Sequence, residues 1–532
     1  MRNFCSELIT AVVILPVTAG NYRRRQNGSW YYDGTISSMV FFLVFLAVVI
    51  IFTVSKNIDI DQDKRLGIVF VLLTVVFVIG MFACVVLGCI VNKHGLNYVV
   101  LRKHENSVTK LQLIFLWIFG IVSGLFSGFL VGQQIQCKVF SPNIEGDGGF
   151  FWDSRCIFNV ITMLFLLTEI IFITYFAQFE MKRSTSIRYV LFILVCANIS
   201  VWLHSIIIDN ETFSERMMDE QFGNNSIIPA CLQNGSIGSL IGHSKPVLGP
   251  CFLEFFLLSI TILFEMWPPA MIRTSNDVLP TYQDVVELNC SVNEETTLLG
   301  ITETDGNSLS GADWTVNQLV TLVVSIGVGL GCVVGYIVWV IHQGSQMRLV
   351  MEWFAVVINS IMIGANLVGF FCLVHYCKPD RIPKPLKVSE YVYMSSAFGI
   401  VMIHVCDILT GLLSRDNSSD ITLTSYILAI IQDYLQVVFL LHANRCSKSD
   451  PHSNTHLLDC VLMFLLVMNF YNWVIDGFIL ASFPGVRQVE QKVLGSILWS
   501  LYHDILLPVG VFYRFSSALE FFMTFRVYNG RL

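Results

Sequence analysis

Residues 192–202 read Phe-Ile-Leu-Val-Cys-Ala-Asn-Ile-Ser-Val-Trp, and residues 464–473 read Phe-Leu-Leu-Val-Met-Asn-Phe-Tyr-Asn-Trp. Each stretch is an apolar run in which Asn is followed four residues later by Trp. The next apolar segment after each stretch carries a proline near its start, Pro250 in one case and Pro508 in the other. These matching features predict an internal repeat, an organisation common in membrane transport proteins.

Composition places the chain in a membrane. Hydrophobic residues make up 54% of the 532 residues and charged residues only 13%, about half of the ~25% that is usual in soluble domains. The net charge of −7 and the lack of a dense basic block argue against nucleic acid as a partner. The 15 cysteines are scattered without a CxxC pair, so neither a zinc centre nor a redox motif is expected. No cofactor motif is found.

Apolar runs long enough to cross a bilayer recur along the whole sequence. Helices are the expected form, because an open strand in lipid would leave backbone groups unpaired. The fold class predicted is therefore all-α, a polytopic membrane protein with about twelve transmembrane helices in two repeated six-helix halves. The twelve expected spans are 36–54, 67–91, 111–135, 157–177, 187–208, 249–267, 316–341, 349–375, 389–413, 422–442, 456–480 and 497–525.

The spans divide into segments of different character. The segment 274–315 holds eight acidic residues and no Lys or Arg, which predicts a disordered linker. Residues 9–19 resemble a signal-peptide core, but three arginines follow at 23–25, which favours a tail at the membrane surface. The predicted organisation is an N-terminal tail at 1–35, a first half at 36–273, the linker at 274–315, a second half at 316–525 and a C-terminal tail at 526–532.

Loop charges predict the orientation. With the N-terminus in the cytoplasm, the inner segments hold 20 Lys and Arg and the outer segments 11, as the positive-inside rule requires. Both termini and the linker are then cytoplasmic. Cys137 and Cys156 flank one outer loop, where they either form a disulfide or remain two free thiols. Glycosylation sequons fall in predicted outer loops at Asn210, Asn224, Asn234 and Asn417.

Several motifs resemble one known family. Residues 497–517 contain a His, a Pro and then Phe-Tyr-Arg-Phe-Ser-Ser, which resembles the last helix of otopetrins. The stretches around Asn198, Glu254 and Gln436 resemble the fifth, sixth and tenth otopetrin helices. This resemblance implies a proton-selective channel of the plasma membrane, a homodimer, two six-helix halves in pseudo-fourfold packing, and sensitivity to zinc.

The resemblance also implies a Gln–Asn–Tyr cluster in each half. The second half has all three residues. In the first half, Glu and Phe replace the family's Gln and Tyr, so an asymmetry between the halves is expected. Ser516 stands where the family has a second His. The two clusters are Gln436, Asn469 and Tyr513 in the second half, and Glu169, Asn198 and Phe255 in the first.

Polar residues inside the spans are the candidate proton-pathway or gating residues. A proton needs a chain of groups that both donate and accept hydrogen bonds, and an ionisable residue within a span is a functional candidate by default. Glu169 is either a proton relay or a structural carboxyl group. Glu254 either lines a wet vestibule beside Pro250 or caps a helix. Asn198 and Asn469 either line a constriction or hold helices together.

Three further groups leave alternatives open. His503 is an acid sensor, a ligand for inhibitory zinc, or an ordinary hydrogen-bonding residue. Arg514 either extends to the membrane surface or pairs with an acid. His404 and Asp407 share one helix face, where a polar helix contact is favoured over a functional one. The candidate partners of Arg514 are Glu352, Asp407, Asp433 and Asp476.

Four function classes compare as follows. A proton channel agrees with the repeated halves, the relay-capable side chains and the lack of nucleotide or cofactor motifs. A proton-coupled secondary transporter is the alternative, with a substrate site at the midplane. A membrane enzyme is not expected, because no HExxH or comparable cluster is found. Twelve spans are too many for a seven-helix receptor.

Overall fold

The fold comes from a computed structural model of the chain. The residues it describes are 22–24, 30–32, 62–103, 108–140, 147–182, 184–208, 236–267, 315–342, 345–379, 388–414, 419–448, 456–480, 493–494, 499 and 501–528. The predicted span 36–54, the four sequons and nearly all of the 274–315 linker therefore lie outside the described residues.

Eleven long helices dominate the described part of the chain. Ten of them, the tenth including a short π-helical extension, are long and apolar enough to cross a membrane. This confirms the all-α polytopic fold class. The helices are α1 Gln62–His94, α2 Val108–Phe140, α3 Asp147–Phe176, α4 Thr185–Ile208, α5 Ser236–Glu265, α6 Val316–His342, α7 Ser345–Tyr376, α8 Val388–Ser414, α9 Ser419–Ala443, α10 His456–Val474 and α11 Leu507–Tyr528.

Two helices differ from the expected boundaries. The sixth span was expected at 249–267, but α5 begins at Ser236, so Pro250 lies within a helix instead of near its start. The last span was expected as one helix over 497–525. Instead, a π-helical turn at Leu501–Leu506 precedes α11, which continues to Tyr528. A second π-helical turn, Ile475–Leu480, follows α10. Such turns often mark functional sites in membrane helices.

Short two-stranded sheets join the helices, a feature that the sequence patterns did not predict. Each sheet is antiparallel. In the first half, the strand after α1 pairs with the strand after α3, and in the second half, the strand after α7 pairs with the strand after α9. The strands are β1 Tyr22–Arg24 with β2 Trp30–Tyr32, β3 Val100–Lys103 with β4 Phe179–Met181, and β5 Cys377–Pro379 with β6 Cys446–Lys448.

The helix packing also repeats. In the first half α1 packs against α3 and α4, and α5 packs against α2 and α4. In the second half α7 packs against α9 and α10, and α11 packs against α8 and α10. The internal repeat inferred from the paired Asn-x-x-x-Trp stretches is therefore visible in the packing, while the boundaries assigned to the two halves stay a prediction.

Aromatic side chains fill the contact between the halves. Trp473 of α10 packs against Phe119 of α2 with ring centroids 6.0 Å apart, and against Phe515 of α11 at 5.3 Å. Phe115 meets Phe515 edge to face at 5.0 Å. These side chains belong to the apolar core of the first half, so α10 and α11 contribute to both halves. Large aromatic side chains from both halves thus pack against each other at this interface.

Candidate functional site

The second half contains a fully buried pair of amides. Gln436 of α9 donates from Nε2 to Oδ1 of Asn469 at 3.0 Å, and Asn469 of α10 donates from Nδ2 to Oε1 of Gln436 at 2.9 Å. The relative exposure of both residues is 0%. Asn469 also donates to the Leu465 carbonyl at 2.8 Å, which fixes its orientation within its own helix. A buried amide without such partners would be destabilised by about 1–3 kcal/mol.

Two hydroxyl groups of α11 complete this layer. Nε2 of Gln436 lies 3.1 Å from Oη of Tyr513 and 3.0 Å from Oγ of Ser517. The amide nitrogen carries two hydrogens, yet three acceptors stand within reach, so these hydrogen bonds are shared. The structure thus brings together the three predicted residues of the second half. Ser517 was not among the candidates named from sequence.

A charged pair stands directly beside the amide layer. Arg514 donates from Nη1 to Oδ1 of Asp433 at 2.6 Å and from Nη2 to Oδ2 at 3.4 Å. Arg514 also donates to Oε1 of Gln432 at 3.2 Å, and Gln432 donates to Gln436 at 2.8 Å. The charge pair and the amide layer therefore form one hydrogen-bonded network.

Among the four acids considered for Arg514, the close partner is Asp433. Asp476 is farther away, with Oδ2 at 4.0 Å from Nε of the arginine. The arginine is 5% exposed, so its side chain does not extend to the membrane surface. His404 places Nε2 3.2 Å from Oδ2 of Asp433, whereas Asp407 accepts a hydrogen bond from Tyr502 at 2.8 Å. Asp433 thus stands between the Arg514 guanidinium and the His404 ring.

A cavity of about 230 Å³ is lined by Arg514, the cationic member of this charged pair. It lies where α6 ends and α7 begins, and all six described helices of the second half contribute to its wall. One water needs roughly 10–15 Å³ of such space, so the cavity has room for many waters. Its polar lining includes Glu352, His404, Asp407, Tyr426, Asp476 and Arg514.

The corresponding site in the first half is smaller and acidic. Asn198 of α4 donates from Nδ2 to Oε1 of Glu169 at 2.5 Å and to the Leu194 carbonyl at 2.8 Å. Both side chains are 0% exposed, as is Phe255. Oε2 of Glu169 and Oδ1 of Asn198 have no hydrogen-bond partner among the described residues. The first half therefore has a two-residue contact where the second half has an extended network.

Glu254 lies at the contact between the halves. The helix-cap interpretation is wrong, because α5 begins at Ser236 and Glu254 is deep inside that helix with 2% exposure. The Trp473 indole is close enough to the carboxyl group of Glu254 to act on its charge. Neither Oε2 of Glu254 nor Nε1 of Trp473 reaches standard hydrogen-bond geometry with any described residue. A buried acid and a buried donor thus meet across the two halves.

His503 stands apart from the buried network. It belongs to the π-helical turn before α11, and its ring lies 5.3 Å from that of Trp499. Within the described part of the chain, no group of three or more His, Cys, Asp or Glu side chains could hold a metal ion. A zinc ion at His503 stays a prediction. Cys137 lies among side chains that are not described, so its pairing with Cys156 also stays a prediction.

Comparison with known proteins now identifies the family. The family model described as Otopetrin matches residues 209–515, which is more than half of the chain. The chain belongs to the otopetrin family. A curated relative, the proton channel OtopLc of Drosophila melanogaster, is 21% identical over 461 residues. The match covers 75% of this chain and 26% of the relative, so the chain spans about a quarter of that relative's length.

This otopetrin has functional candidates that were not singled out from its sequence. Gln432, Ser517 and Tyr393 all belong to the second-half network, with Tyr393 reaching Ser517 at 3.0 Å. One signal was available, because residues 430–436 read Ile-Ile-Gln-Asp-Tyr-Leu-Gln. Three polar side chains in one turn of an apolar span are costly in a membrane and therefore indicate function. Tyr393 gave no comparable signal, since aromatic residues are common in these spans.

Proposed function

We propose that this otopetrin is a proton-selective channel of the plasma membrane that carries protons inward when the external solution becomes acidic. The single observation that supports this proposal most is the buried chain of polar groups through the second half. It links Arg514 and Asp433 to Gln432, Gln436 and the Tyr513 hydroxyl by contacts of 2.6–3.2 Å. Family membership and the name of the Drosophila relative agree with it.

The proposed path begins at the cavity. In the orientation expected from the loop charges, the cavity faces the outer solution, where its carboxylates Glu352, Asp407 and Asp476 attract protons. Water in the cavity delivers a proton to the region of Asp433 and Arg514. The fixed positive charge of Arg514, balanced by Asp433, sets the electrostatic barrier that an entering cation meets.

The amide layer is the proposed constriction. Gln436 and Asn469 hold each other through two opposed hydrogen bonds, which leaves no space for a hydrated metal ion among side chains with 0% exposure. A proton differs from other cations because it passes along hydrogen bonds without carrying its hydration shell. Proton selectivity follows because this layer is closed to hydrated ions while hydroxyl groups that can transfer protons stand beside it.

Each half is assigned a different role in this proposal. Gln436, Asn469 and Tyr513 provide neutral groups that can orient a hydrogen-bonded chain. In the first half, Glu169 binds one proton on its carboxyl group and does not form such a chain. Phe255 can neither donate nor accept a hydrogen bond. The second half therefore carries most of the current, with Glu169, Glu254 and His503 acting on gating.

The proposal extends to assembly and topology. We infer a homodimer with cytoplasmic termini, a cytoplasmic linker and glycans on the outer loops, on the basis of the family resemblance, the loop charges and the sequons at Asn210, Asn224, Asn234 and Asn417. No cofactor and no enzymatic activity form part of this function.

The deciding experiment is electrical. In a voltage-clamped cell that expresses the chain, lowering the external pH should evoke an inward current. Its reversal potential should move by about 59 mV per pH unit, because one pH unit is 1.36 kcal/mol and 100 mV is about 2.3 kcal/mol per charge. A reversal potential that follows sodium or chloride would contradict the proposal. A current that saturates with an added solute would instead favour the proton-coupled transporter.

A further inference from the structure

The amide pair presents a difficulty for proton transfer. An amide donates only through its nitrogen and accepts only through its oxygen, so a proton cannot cross it by a simple exchange at one atom. A hydroxyl group accepts a proton and releases its own from the same oxygen. Gln436 and Asn469 therefore suit a structural clamp better than a relay, and the proton needs another way past this layer.

Hydroxyl groups line one side of the clamp. Oγ of Ser517 lies 3.0 Å from Nε2 of Gln436 and 3.0 Å from Oη of Tyr393. Because the amide nitrogen is a donor, Ser517 accepts there and can direct its own hydrogen to Tyr393. The ring of Tyr393 stacks on that of Tyr513 with centroids 5.5 Å apart. Ser517 is 0% and Tyr393 5% exposed, so few other partners compete for them.

The same helix face continues toward the opposite end of the bundle. Tyr513, Ser517, Glu520 and Thr524 are spaced four, three and four residues apart, which places them on one face of α11. Asn444 donates to Oε2 of Glu520 at 3.4 Å, and Thr524 donates to Oδ1 of Asn444 at 3.3 Å. A ladder of polar groups thus leads from the amide layer to the end of α11, away from the cavity.

We propose that Ser517 and Tyr393 are proton-carrying residues that take the proton past the Gln436–Asn469 clamp toward Glu520. In each step a new O–H bond forms on the arriving side of the hydroxyl, and its original O–H bond breaks on the other side. A hydronium ion in the cavity water supplies the proton through the hydroxyl of Tyr513, whose ring stacks on that of Tyr393, and is left as water. Each hydroxyl keeps one hydrogen, the carboxylate of Glu520 or adjacent water receives the proton, and no electron is transferred. This inference rests on the proposed channel function.

The test uses substitutions that remove single hydroxyl groups. Ser517→Ala and Tyr393→Phe should each reduce proton current per surface channel by roughly a hundred-fold, the lower end of the range for a lost proton-transfer group. Ser517→Thr, which restores a hydroxyl, should recover most of the current. The matched controls are Ser516→Ala, on a neighbouring partly exposed position, and Tyr391→Phe, whose side chain is 54% exposed. Both controls should conduct like the wild type.

Three measurements make the outcome decisive. Surface biotinylation and the melting temperature of the purified protein must be unchanged in Ser517→Ala. A loss of current then reports a defect in proton transfer and not a defect in folding. The double variant Ser517→Ala with Tyr393→Phe should carry about the same proton current as the single variant with the lower current. Both residues serve one path, so losing the second hydroxyl adds no further loss. A wild-type protein without proton current would refute the channel function. A conducting wild type with Ser517→Ala equal to Ser516→Ala would refute this inference alone.

Discussion

Removing one member of the Asp433–Arg514 pair should strongly destabilise the second half. The carboxylate is 1% and the arginine 5% exposed, and two hydrogen bonds join them. Asp433→Asn keeps the shape of the side chain but leaves a buried guanidinium without its counter-charge. The expected loss of unfolding free energy is about 3–5 kcal/mol, a factor of roughly a hundred to a few thousand in the folding equilibrium.

The pair can be isolated by a double-mutant cycle. Arg514→Gln should also destabilise the protein, but the double variant Asp433→Asn with Arg514→Gln removes both charges of the pair. Its loss should fall short of the sum of the single losses by about 2 kcal/mol or more, within the upper range for contacting residues. Unfolding free energies are measured by titrating the purified protein with SDS in mixed micelles.

A neighbouring position provides the control for this cycle. Tyr434 follows Asp433 directly but is 65% exposed, so Tyr434→Phe should change stability by no more than about 0.5 kcal/mol. The reasoning would be refuted by an Asp433→Asn variant that loses under about 1 kcal/mol. Strict additivity of the two single variants would refute it as well, because the charges would then not act on each other.

Three further predictions concern the rest of the chain. Glu169→Gln should give a current near neutral pH that resembles the current of the wild type at acidic pH, because Gln mimics the protonated carboxyl group and cannot titrate. A pH–current curve identical to that of the wild type would count against a gating role for Glu169. Trp473→Phe should shift the pH–current curve in the same direction as Glu254→Gln, because the first removes a donor that favours the charged carboxylate and the second replaces that carboxylate with a neutral amide. Opposite shifts would argue against this pairing. An epitope in the 274–315 linker should be detected only after permeabilisation, and labelling of intact cells would overturn the proposed orientation.

Sequence patterns predicted the helices well because lipid imposes a simple rule on the backbone. A span must satisfy its own hydrogen bonds, so the apolar runs within the described residues are helices close to their expected places. The start of α5 was missed because residues 236–248 are rich in Gly and Ser and include Lys245, and hydropathy does not indicate helix there. The sheets β3–β4 and β5–β6 were missed since the pairing of each depends on two loops that are distant in sequence.

The site was predicted in part. Gln436, Asn469 and Tyr513 were named from the family resemblance, and the structure brings them within hydrogen-bond distance. Sequence could not choose the partner of Arg514, because four acids stood on helices whose rotation about their axes was unknown. Tyr393 was missed for the same reason, since only packing shows which of many tyrosines points at Ser517.

The central claim is that protons pass through the second half of this otopetrin. The direct measurement is proton flux into liposomes containing purified protein, compared between Asn469→Ala and Asn198→Ala at equal reconstitution, with each flux divided by the amount of folded protein. The account predicts that Asn469→Ala loses most of the flux, because it opens the Gln436 clamp and leaves that amide without its partner, while Asn198→Ala retains most of it. Equal loss in both variants, with Glu169→Gln unchanged from the wild type, would contradict it.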